Sequence, residues 1–418
     1  MRSLVLAAAA VAVLAACAPK AAEPPIEAAQ AAATPAEIHD RLMVLDSHLD
    51  TPANFSRPGF DIMQDNPTIL GEVQVDLPKM KRGGLDGGYW VIFTPQGPLT
   101  PQAYEAALKA ALTRSDEIQA VAAAHPDEFE LAYSADDAER IAAEGKRVML
   151  QSIENSYPLG LDISNLKTFY DRGVRMVGAI HFRDNQFGDS STDLTSTKSG
   201  GLTPLGFELI KEANRLGMVV DGSHSSDAAV EDMIRTSTTP VILTHTGLKA
   251  IFDHPRNISD DLLRKIAEQG GVIQINAYGG YLEQLEDSPE RAAALEALQA
   301  EFPGVEPFRT DAETLARYRE KSAELDAKYP PPRSTFEKFM EHMNHALEIV
   351  GPDHVGMGAD WDGGGGVEGM EDVSFLPKVT ERLLAEGYTE DDLRKIWGGN
   401  LMRVLRQAEE AREAVPAQ

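Results

Sequence analysis

Residues 218–247, MVVDGSHSSDAAVEDMIRTSTTPVILTHTG, hold a short apolar run (Met218 to Asp221), a segment with helical spacing (227–236) and a second apolar run (Pro240 to Leu243). Each run is followed within a few residues by a histidine, His224 and His245. Short apolar runs joined by a helical period are the pattern of parallel strands with crossover helices. The rhythm extends in both directions. Val44-Leu45, Tyr89 to Phe93, Arg147 to Ser152, Val174 to Ile180, Gly271 to Ile275 and His354 to Gly358 complete eight candidate strands, with helix-compatible segments at 101–124, 135–144, 205–216, 259–269 and 334–350. Eight such units predict an α/β fold, a (β/α)8 TIM-like barrel. The competing arrangement is a doubly wound open sheet, but no G-x-G-x-x-G follows the first strand. Residues 280–333 break the rhythm. They are charged, carry helical periods near 288–300 and 311–326, and end in Pro330-Pro331-Pro332, which reads as a helical insertion after strand seven.

The chain of 418 residues is 43% hydrophobic and 25% charged, enough for a large core and unlike a disordered polymer or a small disulfide scaffold. Its formal net charge of −27 opposes unspecific attraction to nucleic-acid phosphates, so no nucleic-acid partner is expected. The one cysteine, Cys17, excludes intramolecular disulfides and cysteine-clustered metal sites. Metal ligands, if present, are His, Asp and Glu.

The amino end has the layout of a secretory signal: Met1-Arg2-Ser3, an apolar stretch from Leu4 to Leu14, then small residues. Leu14-Ala15-Ala16-Cys17 resembles a bacterial lipobox, in which residues 1–16 are removed and Cys17 is acylated as the mature terminus. Ala18 to Thr34, rich in Ala, Pro and Glu, shows no core face, so 17–34 reads as a lipidated cysteine with a flexible tether and 35–418 as the folded domain. With Ala rather than Asp at 18, the expected location is the cell envelope of a diderm bacterium, on the outer membrane in preference to the inner. The tail from Glu409 to Gln418 is polar and carries no hydrophobic signal.

Chemistry-bearing residues gather at the carboxyl ends of the expected strands, the face on which barrel enzymes build their sites. Strand one ends in Asp46-Ser47-His48-Leu49-Asp50, where alternation of side chains lets His48 and Asp50 share one metal. Glu154 follows strand three, His181 strand four, His224 strand five, His245 strand six, and Gly358-Ala359-Asp360-Trp361-Asp362-Gly363 strand eight. Each alone has a plain structural reading, a cap or a solvated turn residue; the recurrence at four of the ten histidines carries the inference. Three imidazoles and two carboxylates on one mouth suit paired divalent metals, zinc above all. A bridging carboxylate such as Glu154 could hold two cations about 3.5 Å apart, so that a water between them becomes hydroxide at neutral pH. No G-x-S-x-G elbow or S-x-x-K motif offers a rival nucleophile. On the residues alone, His181 is not separable from the ligands.

Several of these segments, in this order, resemble the membrane dipeptidase family, also called renal dipeptidase or dehydropeptidase, within the metal-dependent amidohydrolase barrels. The resemblance covers most of 38–406. It is carried by Asp46 to Asp50, Val75-Asp76-Leu77-Pro78 with Gly83-Gly84, Ile153-Glu154, Ala179-Ile180-His181, Asp221 to His224, Thr244-His245, His254-Pro255-Arg256-Asn257 with Asp260-Asp261, Val355 to Gly363, and Gly398-Gly399-Asn400 with Arg403. It implies that His48 and Asp50 hold a first zinc, Glu154 bridges, and His224 with His245 holds a second. It further implies that Asp360 moves the proton, that Arg256 clamps the carboxylate of a dipeptide, that His181 contacts substrate and helps stabilise the oxyanion, and that Tyr278 lines the pocket. The implied activity is hydrolysis of L-Xaa-L-Xaa and L-Xaa-D-Xaa dipeptides by a metal-bridging hydroxide, and dimers are common in the family. Two other readings keep the barrel: a hydrolase of another amide or ester, such as a lactone or β-lactam, and a non-catalytic envelope binding protein. The longer 280–333 segment and the amino-terminal anchor depart from the animal members.

Overall fold

In β4 (Arg147–Ile153) all seven residues are buried, as expected of a strand in a parallel sheet covered by helices, where neither face meets water. The computed structural model describes residues 33–194, 199–305 and 311–412. The expected signal, Cys17 and nearly all of the tether lie outside the described residues. The other strands are β1 (Leu45–Leu49), β2 (Gly87–Ile92), β3 (Phe129–Leu131), β5 (Val174–Gly178), β6 (Val219–Asp221), β7 (Val241–Thr246), β8 (Val272–Ile275) and β9 (Val355–Met357). Every ladder is parallel, in the order β1-β2-β4-β5-β6-β7-β8-β9. A bridge between Leu49 and Trp361, with Asp50 N–H donating to Trp361 O at 2.9 Å, joins the last edge to the first. The chain therefore forms the nearly closed (β/α)8 barrel expected of it.

Two details differ from the sequence expectation. A ninth strand, β3, pairs with β4 outside the barrel path; its Phe129-Glu130-Leu131 run is too short to register as an apolar period. And β1 runs on through Asp46-Ser47-His48, so His48 lies within the strand rather than beyond it, as does His245 within β7. Polar residues here stay extended because the strand is buried on both sides and they meet partners inside the barrel. The β1–β2 register shifts between Asp46 and Leu49, and the β7–β8 register between Leu243 and Thr246. Such irregularities re-aim side chains, and here they sit at His48 and His245.

The helices start where Ser or Thr side chains accept from the first-turn N–H groups: Thr100, Ser134, Thr203, Ser226, Ser259 and Thr335. Inside the barrel, Leu45, Tyr89, Val148, Leu150, Met176, Val219, Ile242 and Val272 pack with Leu401, Met402 and Leu405 of the carboxy-terminal helix Asn400–Glu410. These strand residues lie toward the strands' amino ends, so that end is filled and the opposite mouth is left for polar groups. Between β8 and β9 the chain forms helices Pro289–Glu301 and Ala312–Lys328, with their own small cluster of Leu298, Phe302 and Leu325. No helix among the described residues is long and apolar enough to cross a membrane.

Candidate metal centre and active site

Six of the eight barrel strands deliver polar side chains to a common point, β1 and β7 from within the strand or at its end. Glu154 directly follows β4, His181 and His224 stand three residues past β5 and β6, and Asp360 three past β9. Among the described residues, only three non-glycine residues adopt positive φ: His224 (64°), Asp360 (64°) and Asp362 (67°). That conformation disfavours side chains with a Cβ and is kept only where the surroundings enforce it, commonly at functional sites.

The centre is Glu154 Oε1. The Nε2 atoms of His48, His181, His224 and His245 lie 3.5, 3.3, 3.1 and 3.6 Å from it. His224 Nε2 and His245 Nε2 are 2.8 Å apart, and Asp50 Oδ2 is 3.6 Å from His48 Nε2. Three overlapping groups have ligand atoms mutually within 4.8 Å: His48-Glu154-His245, Glu154-His181-His224, and His48-Asp50-Asp360. The structure thus brings together all five expected ligands, with Asp360 and His181 beside them.

Electrostatics and tautomers fit a cation. Thr244 Oγ1 donates to Asp221 Oδ2 at 2.6 Å and lies 2.9 Å from His245 Nδ1. With the hydroxyl proton given to the carboxylate, His245 Nδ1 must carry its own proton and donate it to Thr244, which leaves the Nε2 lone pair facing the cluster. His48 Nε2 is buried without a hydrogen-bond partner. Burial opposes a charged Glu154, yet the imidazoles of His181 and His48 hold its pKa well below the usual range. Burial likewise opposes an imidazolium at His48, while Glu154 and Asp50 hold it well above normal. His224 and His245 are pushed well below, by burial first and then by Arg256 and neighbouring imidazoles. The neutral imidazoles of His224 and His245 beside an ionised Glu154 fit a borderline divalent metal, which would take the place of the proton that the carboxylates hold on His48.

Asp360 and Asp362 separate cleanly. Burial pushes Asp360 well above the carboxylate range; His48 and Arg256 oppose the shift, while Asp50 and Glu154 add to it. Asp362 instead turns to Gln74, accepting from its backbone N–H while its own N–H donates to Gln74 Oε1 at 3.0 Å, and burial raises it to about 7. Asp46, outside the candidate set, accepts from His48 N–H (2.8 Å) and Ala359 N–H (3.1 Å), which fixes β1 against the loop that presents Asp360. Gly363 has no room for a side chain: a Cβ would stand 2.0 Å from Asp50 Oδ2 and 2.3 Å from Asp360 Oδ1. Gly363→Ala is expected to displace both carboxylates and lower kcat/KM on the order of a hundredfold with an unchanged circular dichroism spectrum. A variant with full turnover would show that neither carboxylate needs this placement.

Arg256 is 3% exposed. Its guanidinium donates to Thr246 Oγ1 (3.0 Å) and His245 O (2.7 Å), and its Nε has no partner. The charge lies 5.6 Å from the Tyr281 ring centroid, and Tyr278 lies 4.5 Å from Tyr281. Tyr278 is the more exposed of the two and stands at the rim. Tyr281, buried between Arg256 and Tyr278, was not singled out in the sequence; the Tyr278-Gly279-Gly280-Tyr281 spacing, one turn apart, is the signal that could have found it.

A family profile described as membrane dipeptidase (peptidase family M19) matches residues 32–418. The dipeptidase tcpJ of Claviceps purpurea is 29% identical over 355 residues, 84% of this chain and 72% of the relative. Dipeptidase 3 of Macaca fascicularis is 27% identical over 381 residues, 90% of this chain and 67% of the relative. Among solved structures, the probable dipeptidase PvdM from Pseudomonas aeruginosa is similar with a TM-score of 0.76 and 31% identity, over 90% of this chain and 98% of that one.

Proposed function

The chain belongs to the membrane dipeptidase family, peptidase family M19, and from that premise we propose that it is a two-zinc dipeptidase that recognises its substrate by the free carboxylate. The observation that carries the reading is Arg256, a buried cation whose hydrogen bonds all go to neutral oxygens, beside the imidazole cluster. Asp221, Asp360 and Glu154 offset the charge only at a distance, none of them hydrogen-bonding the guanidinium, and a substrate carboxylate on its planar fork would supply the direct partner.

In this reading His48 and Asp50 would hold one zinc and His224 and His245 the other, with Glu154 within reach of both. Bound there, the metals supply Lewis acidity toward a carbonyl and lower the pKa of water. The residues do the rest. Arg256 fixes the carboxyl end and so the distance of the scissile bond from the mouth. Asp360 takes the proton of the attacking water on a carboxylate oxygen and passes it to the leaving nitrogen. His181, whose Nε2 faces the cluster, donates toward the developing oxyanion. Tyr278 and Tyr281 wall the carboxylate side. Because recognition rests on carboxylate, amine and carbonyl, a D residue on the carboxyl side is accepted, as in cell-wall dipeptides. Leu14 to Cys17, after the apolar Leu4–Leu14 stretch, supports placement in a bacterial envelope with an acyl anchor on Cys17, outer membrane before inner.

Purified, zinc-restored protein is expected to cleave L-Ala-L-Ala and L-Ala-D-Ala while sparing tripeptides and carboxyl-amidated dipeptides. Equal turnover of the amidated substrates would sink the carboxylate clamp, and intact L-D substrate would sink the stereochemical tolerance. Protein that carries metal but cleaves none of them would overturn the substrate assignment.

A further inference from the structure

Phe182 stands where the imidazole cluster meets solvent. Its ring centroid is 3.9 Å from that of His181 and 5.1 Å from that of His224, yet the residue is 50% exposed. Phe93, from just past β2, reaches the same imidazole, with its ring 4.8 Å from His181. Two aromatic rings thus touch the one histidine of the cluster that faces outward most, at 12% side-chain exposure against 1–4% for His48, His224 and His245.

The backbone that carries the ring is held in place. Ser190 Oγ donates to His181 O at 2.5 Å, Thr192 Oγ1 donates to Phe182 O at 3.2 Å, and Ser190 N–H donates to Asp184 Oδ1 at 2.7 Å. The loop after β5 therefore pins the backbone at both 181 and 182. A phenyl ring standing half in water on a pinned backbone gives up part of its burial, which makes sense where another apolar group covers it. Small-molecule pockets pair such rings with a few polar anchors, and the anchor here is Arg256, after β7 and so two strands along the same mouth.

We propose that Phe182, with Phe93 behind His181, is the specificity-determining wall for one side chain of the substrate and selects an apolar one. The assignment rests on the dipeptidase reading above. With the carboxylate on Arg256 after β7 and the reacting carbonyl at the cluster, a substrate side chain directed toward β5 meets the Phe182 face. An apolar side chain gains by covering the ring, whereas a charged one would lose water there without finding a partner.

The test compares kcat/KM of the zinc-loaded full chain on Leu-Ala, Gly-Ala, Ala-Leu and Ala-Gly, for the wild type, Phe182→Ala and Phe182→Leu. In Phe182→Ala the preference for Leu over Gly is expected to fall about tenfold at one substrate position, chiefly through KM, and Phe182→Leu should recover most of it. An unchanged preference at both positions overturns the proposal. So does an equal fall on all four substrates carried by kcat, which would make Phe182 a support for His181. A wild type inactive on every dipeptide overturns the dipeptidase reading and this one with it, whereas an active wild type with unshifted preferences overturns this one alone.

Discussion

Glu154→Gln is expected to leave a folded barrel that binds metal at least roughly a hundredfold more weakly and loses about 10³-fold or more in kcat/KM. The substitution keeps the shape and removes one negative charge. That charge lies within 3.1–3.6 Å of four imidazole nitrogens, so no other single group meets as much of the cluster. An amide at this position offers one oxygen and no net charge to a site that must concentrate dications, and its NH2 would point donors at nitrogens that must themselves present lone pairs. Metal content by mass spectrometry and turnover of L-Ala-D-Ala should fall together. If the variant keeps both, Glu154 is a structural acid and the metal centre must be built from the remaining ligands.

Asp360→Asn is expected to lower kcat by about 10²–10⁴-fold while leaving metal content and KM close to wild type. Asparagine preserves the volume that Gly363 leaves open but neither accepts nor returns a proton. In the wild type, activity needs the carboxylate form, which is present above its pKa, so kcat should rise with pH through that ionisation. The rise should be missing in the variant. The experiment also separates two roles, because Asp360 shares a ligand group with His48 and Asp50. Loss of metal together with rate would make Asp360 a ligand, and loss of rate alone makes it the proton carrier.

The barrel was legible because a parallel sheet covered on both sides writes its strands as continuous apolar runs, and because Ser or Thr caps start its helices. Helices 101–124 and 227–236 are found at the expected limits for this reason. Where a strand carries catalytic polarity instead, as in Leu45-Asp46-Ser47-His48-Leu49, the apolar signal stops early and the strand's end is misplaced. The five candidate ligands were legible through position, one after another at strand ends, and the fold gathers them around Glu154. Their supports were less so: Asp46 was part of a recognised segment, but only its two bonds to His48 and Ala359 show what it does.

The sequence by itself determined the repeat of strand and helix, the face on which the polar residues gather, and the nitrogen and oxygen chemistry of the centre, since each is a property of neighbouring residues and their period. The tertiary structure decided which of two nearby aspartates faces the cluster: Gln74, distant in the chain, draws Asp362 away and leaves Asp360 inward. It also decided that Arg256 is buried against His245 and Thr246 rather than exposed on its loop, and that Tyr281 and Phe182 reach the mouth. These depend on contacts between segments brought together only when the barrel closes, and periodicity along the chain carries no record of such contacts.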